Sequence, residues 1–465
     1  MMQVEEVKQV WLVGIGGIGM SALARYFHRD GKPVAGYDRT PSGVTEALQA
    51  EGISVFFDSS PACIEPVFRD PRHTLVIYTP AVEKEQEQLV WFREQGFEVL
   101  KRAQVLGMLS ARKEAVCIAG THGKTTISTL TAHLFRQGKV GCTAFLGGIS
   151  KNYRNNFLWD EQSPFVVLEA DEFDRSFLWL SPTLALISAM DADHLDIYGS
   201  HQEVENAFGA FARRVKSGGV LVMKKGLPPQ EGLMADVEVL SYALADSDAD
   251  YYAGELVLED GLYRFSLHTP QGLITDLKMG IPGRLNVENA IGAVALALNA
   301  GVEVDEIRAS LPGFKGIARR FDLHVNAPHL VYIDDYAHHP EEIRATLTSV
   351  RALYPGFRLC GVFQPHLYTR TRDFAEDFAQ SLSLLDEVLL MDIYPARELP
   401  LPGITARTIG EHIAEVPVGY VGPEDLPEVL QPGAQPTVVL TMGAGDIDRL
   451  VPRIAAHLAH LVSLR

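Results

Sequence analysis

The chain has 465 residues, with 41 Lys and Arg against 59 Asp and Glu, a formal net charge of −18 and 47% hydrophobic residues. A prior of about 150 residues per domain gives three domains rather than one core, and the composition is globular, neither disordered nor membrane-like. The acid excess excludes nucleic acid and an anionic membrane surface as bulk partners, so an anionic ligand has to be met by local positive charge.

Cys63, Cys117, Cys142 and Cys360 form no CxxC or zinc spacing, and three of them sit in apolar runs. They read as core residues of a reduced, cytoplasmic protein. No apolar stretch reaches the roughly 18 residues of a membrane span, and the N-terminal segment carries no export signal. There are no internal repeats and no low-complexity tract.

In chain order, strand Val10 to Val13 leads into Gly14-Ile15-Gly16-Gly17-Ile18-Gly19 and a helix to His28, with a second strand at Val34 to Tyr37. Such alternation predicts a parallel sheet with helices on its faces. The apolar run Leu75 to Val82 carries this first unit to about Leu109. A second unit opens with strand Ala115 to Ala119, breaks at Gly120-Thr121-His122-Gly123-Lys124-Thr125-Thr126, and continues as a helix stopped at Gly138. Strands follow at Phe165 to Leu168, Leu184 to Ala189 and Val220 to Met223, with a helix from Glu203 to Val215. From Val237 to Met279 short strands and Gly-bearing turns predict an antiparallel insert, and a helix from Val287 to Asn299 follows. The third unit alternates again, with strands at Leu330 to Ile333, Arg358 to Phe363, Val388 to Met391 and Val438 to Met442, and a helix opened by Pro340. The expected fold class is α/β, in three units: residues 1–109, 110–317 with the antiparallel insert, and 318–465.

Two glycine loops carry the chemistry. Gly14, Gly16 and Gly19 match a dinucleotide fingerprint after a strand, and Asp38, at the end of the next strand, is placed to meet a ribose hydroxyl. A tight turn lets backbone approach a diphosphate at a helix N-terminus. The bland alternative is a glycine turn that only packs strand on helix. Gly120 to Thr126 follows phosphate-loop logic, although Ile118 stands where the first Gly of the strict motif belongs. Its backbone N–H groups would cradle phosphates, Lys124 would reach the β and γ phosphates, and the Thr125 hydroxyl would hold Mg²⁺. Two such loops in one chain suggest two nucleotide ligands.

At the end of strand Phe165 to Leu168, Glu169 is the best single metal carboxylate, while Asp171 and Glu172 read equally well as solvated turn acids. His194 lies among Asp191, Asp193 and Asp196 after a strand, as a ligand or catalytic group would. Arg319 and Arg320 at the junction of the second and third units, and Arg370 and Arg372 past a strand end, are paired arginines suited to carboxylate or phosphate.

Taken together, these motifs resemble the Mur ligases, ATP-dependent amide-forming enzymes of peptidoglycan precursor synthesis. The resemblance spans the chain: Gly14 to Ser21, Gly120 to Thr126, Glu169-Ala170-Asp171-Glu172, Asp193-His194-Leu195-Asp196, Pro282 to Asn286, Arg319 to Asp322, Asp334 to Pro340, Gln364 to Arg372 and Gly443 to Asp446. It implies a Rossmann-like domain over residues 1–109 whose loop takes UDP-N-acetylmuramate, a central P-loop ATPase-type domain over 110–317 for ATP, and a C-terminal Rossmann-like domain over 318–465 that closes over ATP and L-alanine. The implied reaction makes an acyl phosphate from the lactoyl carboxylate, which the amino acid then attacks. The implied UDP-sugar site is Gly14, Gly16, Gly17, Ile18, Gly19, Met20, Asp38, Thr79, His122 and Asp171. The implied ATP site is Gly120, Thr121, Gly123, Lys124, Thr125, Thr126, Asn286, Asn289, Arg320, Asp335 and His339. Thr125, Glu169 and His194 would hold Mg²⁺, and Lys124, His194, Arg370 and Arg372 would act in catalysis.

Three departures accompany the resemblance. Leu285 stands where many members carry His, Leu367 where some carry Arg, and the Glu203 to Val215 helix has no Lys of the kind that sibling ligases carbamylate. Competing readings are a recycling ligase that attaches a murein peptide to the same UDP-sugar, an NAD-dependent oxidoreductase built on the first loop, and a non-catalytic nucleotide-switched assembly protein. Monomer and homodimer are both compatible with the sequence.

Overall fold

The computed structural model describes residues 6–191, 198–396, 398–431, 433 and 435–464. It contains three sheets. The first comprises β1 (Gln9–Val13), β2 (Val34–Tyr37), β3 (Ser54–Phe56), β4 (Thr74–Tyr78) and β5 (Glu98–Lys101), in the order β3-β2-β1-β4-β5. All its pairings are parallel. The strand order reverses at β1, and ligands of such sheets bind outside the carboxyl ends of the strands at that point. The Gly14 to Gly19 loop leaves β1 there and runs into α1 (Ile18–Arg29).

The second sheet holds β6 (Glu114–Ala119), β7 (Thr143–Ser150), β8 (Asn155–Leu158), β9 (Phe165–Glu169), β10 (Leu184–Ile187), β11 (Val220–Lys224), β12 (Glu238–Ala243), β13 (Tyr251–Glu259), β14 (Leu262–Thr269) and β15 (Gly272–Lys278). Its order is β15-β14-β13-β12-β11-β10-β6-β9-β7-β8. The expected antiparallel insert joins the central sheet through a parallel strand. β12 runs parallel to β11, with Glu238 opposite Val220, and the Val237 to Met279 stretch extends the central sheet. Further along the same stretch β14 is antiparallel to β15, as expected. Period-two alternation marks a strand but carries no information about the direction of its neighbour.

The third sheet holds β16 (Asp322–Ala327), β17 (Leu330–Asp335), β18 (Arg358–Phe363), β19 (Glu387–Leu390), β20 (Val418–Tyr420) and β21 (Thr437–Met442), in the order β16-β17-β21-β18-β19-β20. It is parallel except for β16, an edge strand absent from the sequence reading.

The chain forms two compact units: one runs up to Val257 and includes Arg264–Gly280 and Glu288–Lys315, and the other takes Leu258–Tyr263, Ile281–Val287 and the chain from Gly316 onward. The first two sheets therefore share a unit. Their joint is packed by Tyr26 of α1 against Phe145 and Trp159, at ring separations of 5.6 and 5.4 Å. A buried polar knot adds direction. Arg25 donates to Glu51 and, at 2.6 Å, to Asn156 Oδ1, while Asn156 Nδ2 donates at 2.5 Å to the Ile18 carbonyl. Thus β8 of the second sheet is tied to the first turn of the helix that follows the first glycine loop. The expected boundary at residue 109 falls inside α4 (Arg102–Arg112).

Candidate active site

The first glycine loop is shaped by contacts that exclude side chains. Gly14 has φ +84°, and a Cβ there would lie 2.9 Å from the Thr79 methyl. The Gly16 N–H donates to Asp38 Oδ2 at 2.7 Å, and a Cβ on Gly16 would meet the same carboxylate. Asp38 thus buttresses the loop itself through one carboxylate oxygen. Gly17 caps α1 without a side-chain hydrogen bond, and the first turn holds no acid, so its N–H groups are available to an anion. Met20 is buried beneath the loop.

The second loop is tighter. Gly120 has φ +134°, with a Cβ there only 2.9 Å from the backbone nitrogens of Ser188 and Ala189. Gly123, at φ +82°, caps α5 (Lys124–Gln137), whose first turn is also free of acids. The loop is pinned to the segment after β10: the Thr121 N–H donates to the Ala189 carbonyl, Asp191 N–H donates to Thr121 Oγ1, and Ser188 Oγ donates to the His122 carbonyl. His122 Nε2 lies 3.3 Å from Asp191 Oδ2. Thr125 and Thr126 are buried in the first turn of α5, and Asn289, from the helix Arg284–Asn299, lies against Gly123.

Lys124 Nζ donates to the Gly120 carbonyl at 2.7 Å and to both oxygens of Glu172 at 2.9 and 2.7 Å. Glu172 is only 2% exposed, which corrects its reading as a solvated turn acid. Burial alone would depress the Lys124 ammonium, but Glu172, Asp171 and Glu169 outweigh it and raise its pKa. Burial pushes the Glu172 carboxyl up to about 7 against the opposing pull of Lys124.

Glu169 ends β9 between these groups, and Gly147 of β7 packs flat against it: a Cβ there would lie 2.5 Å from the carboxyl carbon. Its Oε2 is buried without a hydrogen-bond donor among the described residues. A buried carboxylate oxygen with no donor of its own is chemically suited to a hard divalent cation. Asp171 Oδ1 accepts the Phe173 N–H at 3.1 Å, and its Oδ2 lies 3.5 Å from Arg102 Nη2. Asp193, His194 and Asp196 lie outside the described residues.

In the other unit, Asp335 ends β17 with its carboxylate accepting the Phe321 and Ala337 N–H groups at 2.8 Å each, and burial pushes its pKa up to about 6. Arg320 lies over the Tyr336 ring and 3.6 Å from Glu342. His339 caps the helix Pro340–Leu353 and packs on Phe374. Asn286 Nδ2 donates to the Pro282 carbonyl. Arg370 and Arg372 diverge on their short helix: Arg370 is 7% exposed, whereas the Arg372 side chain is 52% exposed and bonds its neighbour Asp373. They do not form a pair on one face.

Comparison with known proteins decides the family. Residues 9–114 match the Mur ligase family catalytic domain, 118–297 the Mur ligase middle domain and 319–445 the Mur ligase glutamate ligase domain. The UDP-N-acetylmuramate--L-alanine ligase of Porphyromonas gingivalis is 49% identical over 98% of this chain and 100% of its own length. The chain belongs to the Mur ligase family. A Mur ligase crystal structure, the UDP-N-acetylmuramate-alanine ligase of Thermotoga maritima, superposes with a TM-score of 0.81 at 27% identity, covering 98% of this chain and 100% of that one. The murein peptide ligase of Psychrobacter arcticus shares the fold with a TM-score of 0.70 at 21% identity, covering 97% and 98%.

For this Mur ligase, sequence reasoning missed Glu172 as the partner of Lys124, Arg102 beside Asp171, and Gly147 behind Glu169. None lies in a periodic pattern. Each acquires its partner only when separate strands and loops converge, and the one local hint was the density of acids after β9.

Proposed function

We propose that this chain joins L-alanine to the lactoyl carboxylate of UDP-N-acetylmuramate with conversion of ATP to ADP and phosphate, in the cytoplasm. The observation that carries the reading is the end-to-end identity of 49% with an L-alanine ligase, in a chain that holds both glycine loops. Residues 1–109 serve the UDP-sugar, 110–317 the nucleotide and 318–465 the amino acid.

A carboxylate oxygen of the sugar acid attacks the γ-phosphorus and ADP leaves, giving an acyl phosphate. The amine of L-alanine then attacks the acyl carbon, and phosphate leaves with the proton lost to solvent or to a base. Lys124 spreads its charge over the transferring oxygens, the main term in phosphoryl transfer. Gly120, Thr121, Gly123 and Thr126 offer backbone N–H groups to the phosphates. Glu172 keeps the lysine charged and aimed along the loop while no nucleotide competes for it. Thr125 and Glu169, with His194, would hold Mg²⁺, which would neutralise charge on the phosphate oxygens. Asn286, Asn289, Arg320, Asp335 and His339 serve the nucleotide. Of the two arginines past β18, the inward Arg370 is the better placed to meet the amino acid carboxylate, with Arg372 at the surface.

The recycling reading attaches a peptide by identical chemistry, so acceptor choice separates the two. ADP release is measured with UDP-N-acetylmuramate plus L-alanine, L-serine, glycine or a murein tripeptide. Strong release with L-alanine is expected, with weaker release for glycine and L-serine, because one methyl group in a pocket is worth only about 1 to 3 kcal/mol. Preference for the tripeptide would favour the recycling ligase, and equal release without any acceptor would refute both.

A further inference from the structure

Arg102 opens α4 just past β5, at the carboxyl edge of the first sheet. Its guanidinium rests on Gly19, in the first turn of α1. A Cβ on Gly19 would lie 2.9 Å from Arg102 Cζ and closer still to Nη1. The third glycine of the loop therefore makes room for this side chain, whereas a dinucleotide fingerprint would assign it to helix–strand packing.

Around the guanidinium, donors outnumber acceptors. It carries five N–H donors in a rigid fork. Among the described residues its polar partner is one Asp171 oxygen at 3.5 Å, a long contact. Asp171 is turned that way because its other oxygen is held by the Phe173 N–H. The Arg102 side chain is 24% exposed, so it is confined yet reachable. Beside it lie the first-turn N–H groups of α1, which no side chain caps and no acid neutralises. A fork and an open helix N-terminus meeting at one point suit a divalent anion, and Arg binds phosphate in two-pronged fashion. In a chain with a net charge of −18, this is local positive charge of the kind an anionic ligand requires.

We propose that Arg102 binds the diphosphate of the UDP-sugar, adding a side-chain fork to the backbone N–H groups of the Gly14 to Gly19 loop. This assignment rests on the proposed function, since it presupposes a UDP-sugar in that loop. Asp171 holds the fork in place before the ligand arrives and gives it up in part when the diphosphate binds.

The test is calorimetric titration of UDP and of UDP-N-acetylmuramate into the full-length chain and its Arg102→Gln, Arg102→Lys and Gly19→Ala variants, with an ATP analogue as control. Arg102→Gln is expected to weaken both uridine ligands by about 10- to 100-fold, and Arg102→Lys by less, with the ATP analogue and the thermal midpoint unchanged. Gly19→Ala should weaken UDP in the wild-type background and add little to Arg102→Gln, because its methyl group acts by displacing the same fork. UDP binding equal in wild type and Arg102→Gln overturns the proposal. So does a loss confined to UDP-N-acetylmuramate, which would move the contact to the lactoyl carboxylate. A wild-type chain that binds neither uridine ligand refutes the proposed function itself, and this assignment with it.

Discussion

Lys124 shows how one side chain is prepared for a ligand by its neighbours. Its ammonium is buried, which alone would favour the neutral amine, yet three acids hold it charged and Glu172 grips it with both oxygens. Lys124→Ala is therefore expected to abolish turnover, a loss of at least about 1000-fold, while UDP still binds at the other loop. Normal turnover in that variant would remove the phosphate-loop assignment. Glu172 carries the cost of the arrangement. Its carboxyl is raised from 4.5 to about 7 by burial, so the folded state holds its proton more tightly than the unfolded state. The stability tied to that proton is full below about pH 4.5 and is lost as pH rises through about 7. In the nucleotide-free chain, the stability advantage of wild type over Glu172→Gln should shrink steadily between pH 5 and 8. Thermal midpoints of the two variants across that range check this, and a constant gap would contradict it. The sequence disclosed Lys124 and Glu169 because each sits at a strand end next to a helix start. It did not disclose Glu172, whose partner lies 48 positions away.

Strand β7 connects the surroundings of the first glycine loop with those of Glu169. Its antiparallel partner β8 carries Asn156, tied to the first turn of α1 behind the first glycine loop. Its own Gly147 lies flat on the Glu169 carboxylate. Any side chain at position 147 has to push that carboxylate from its place. Gly147→Ala should raise the Mg²⁺ concentration for half-maximal activity about tenfold or more, the size of effect seen when groups that orient a metal ligand are disturbed. An unchanged Mg²⁺ requirement would show that Glu169 is not a metal ligand. The central strands of all three sheets were legible from sequence because each is a short apolar run followed by a turn and an amphipathic helix. The β7–β8 hairpin was not, because Gly147, Gly148 and the polar Lys151 to Asn156 stretch break its pattern. Nor was the direction of β12, since alternation is blind to the partner strand.

In a molecule with a net charge of −18, the two anionic ligands proposed would be met by locally placed positive charge. Each glycine loop leaves a parallel strand into a helix whose first turn has no acid, and each has one buried or half-buried cation, Lys124 or Arg102, fixed by a neighbouring carboxylate. The fold class and the pairing of two phosphate-type loops could be read from the sequence, because glycine turns at strand ends are local features. The chemistry between the loops could not, because it depends on which acids of the Glu169 to Glu172 segment face which cation. Among the described residues no helix is long and apolar enough to cross a membrane.

In the proposed reaction the sugar carboxylate attacks the γ-phosphoryl group of ATP, and the acyl group of the resulting acyl phosphate passes to L-alanine as phosphate leaves. UDP-N-acetylmuramate labelled with ¹⁸O in its lactoyl carboxylate tests this directly, by mass spectrometry of the phosphate and the amide formed with ATP and L-alanine. One ¹⁸O is expected in each phosphate released, matched one for one by the L-alanyl amide. Amide formed with unlabelled phosphate, or ADP formed with no amide, would contradict it.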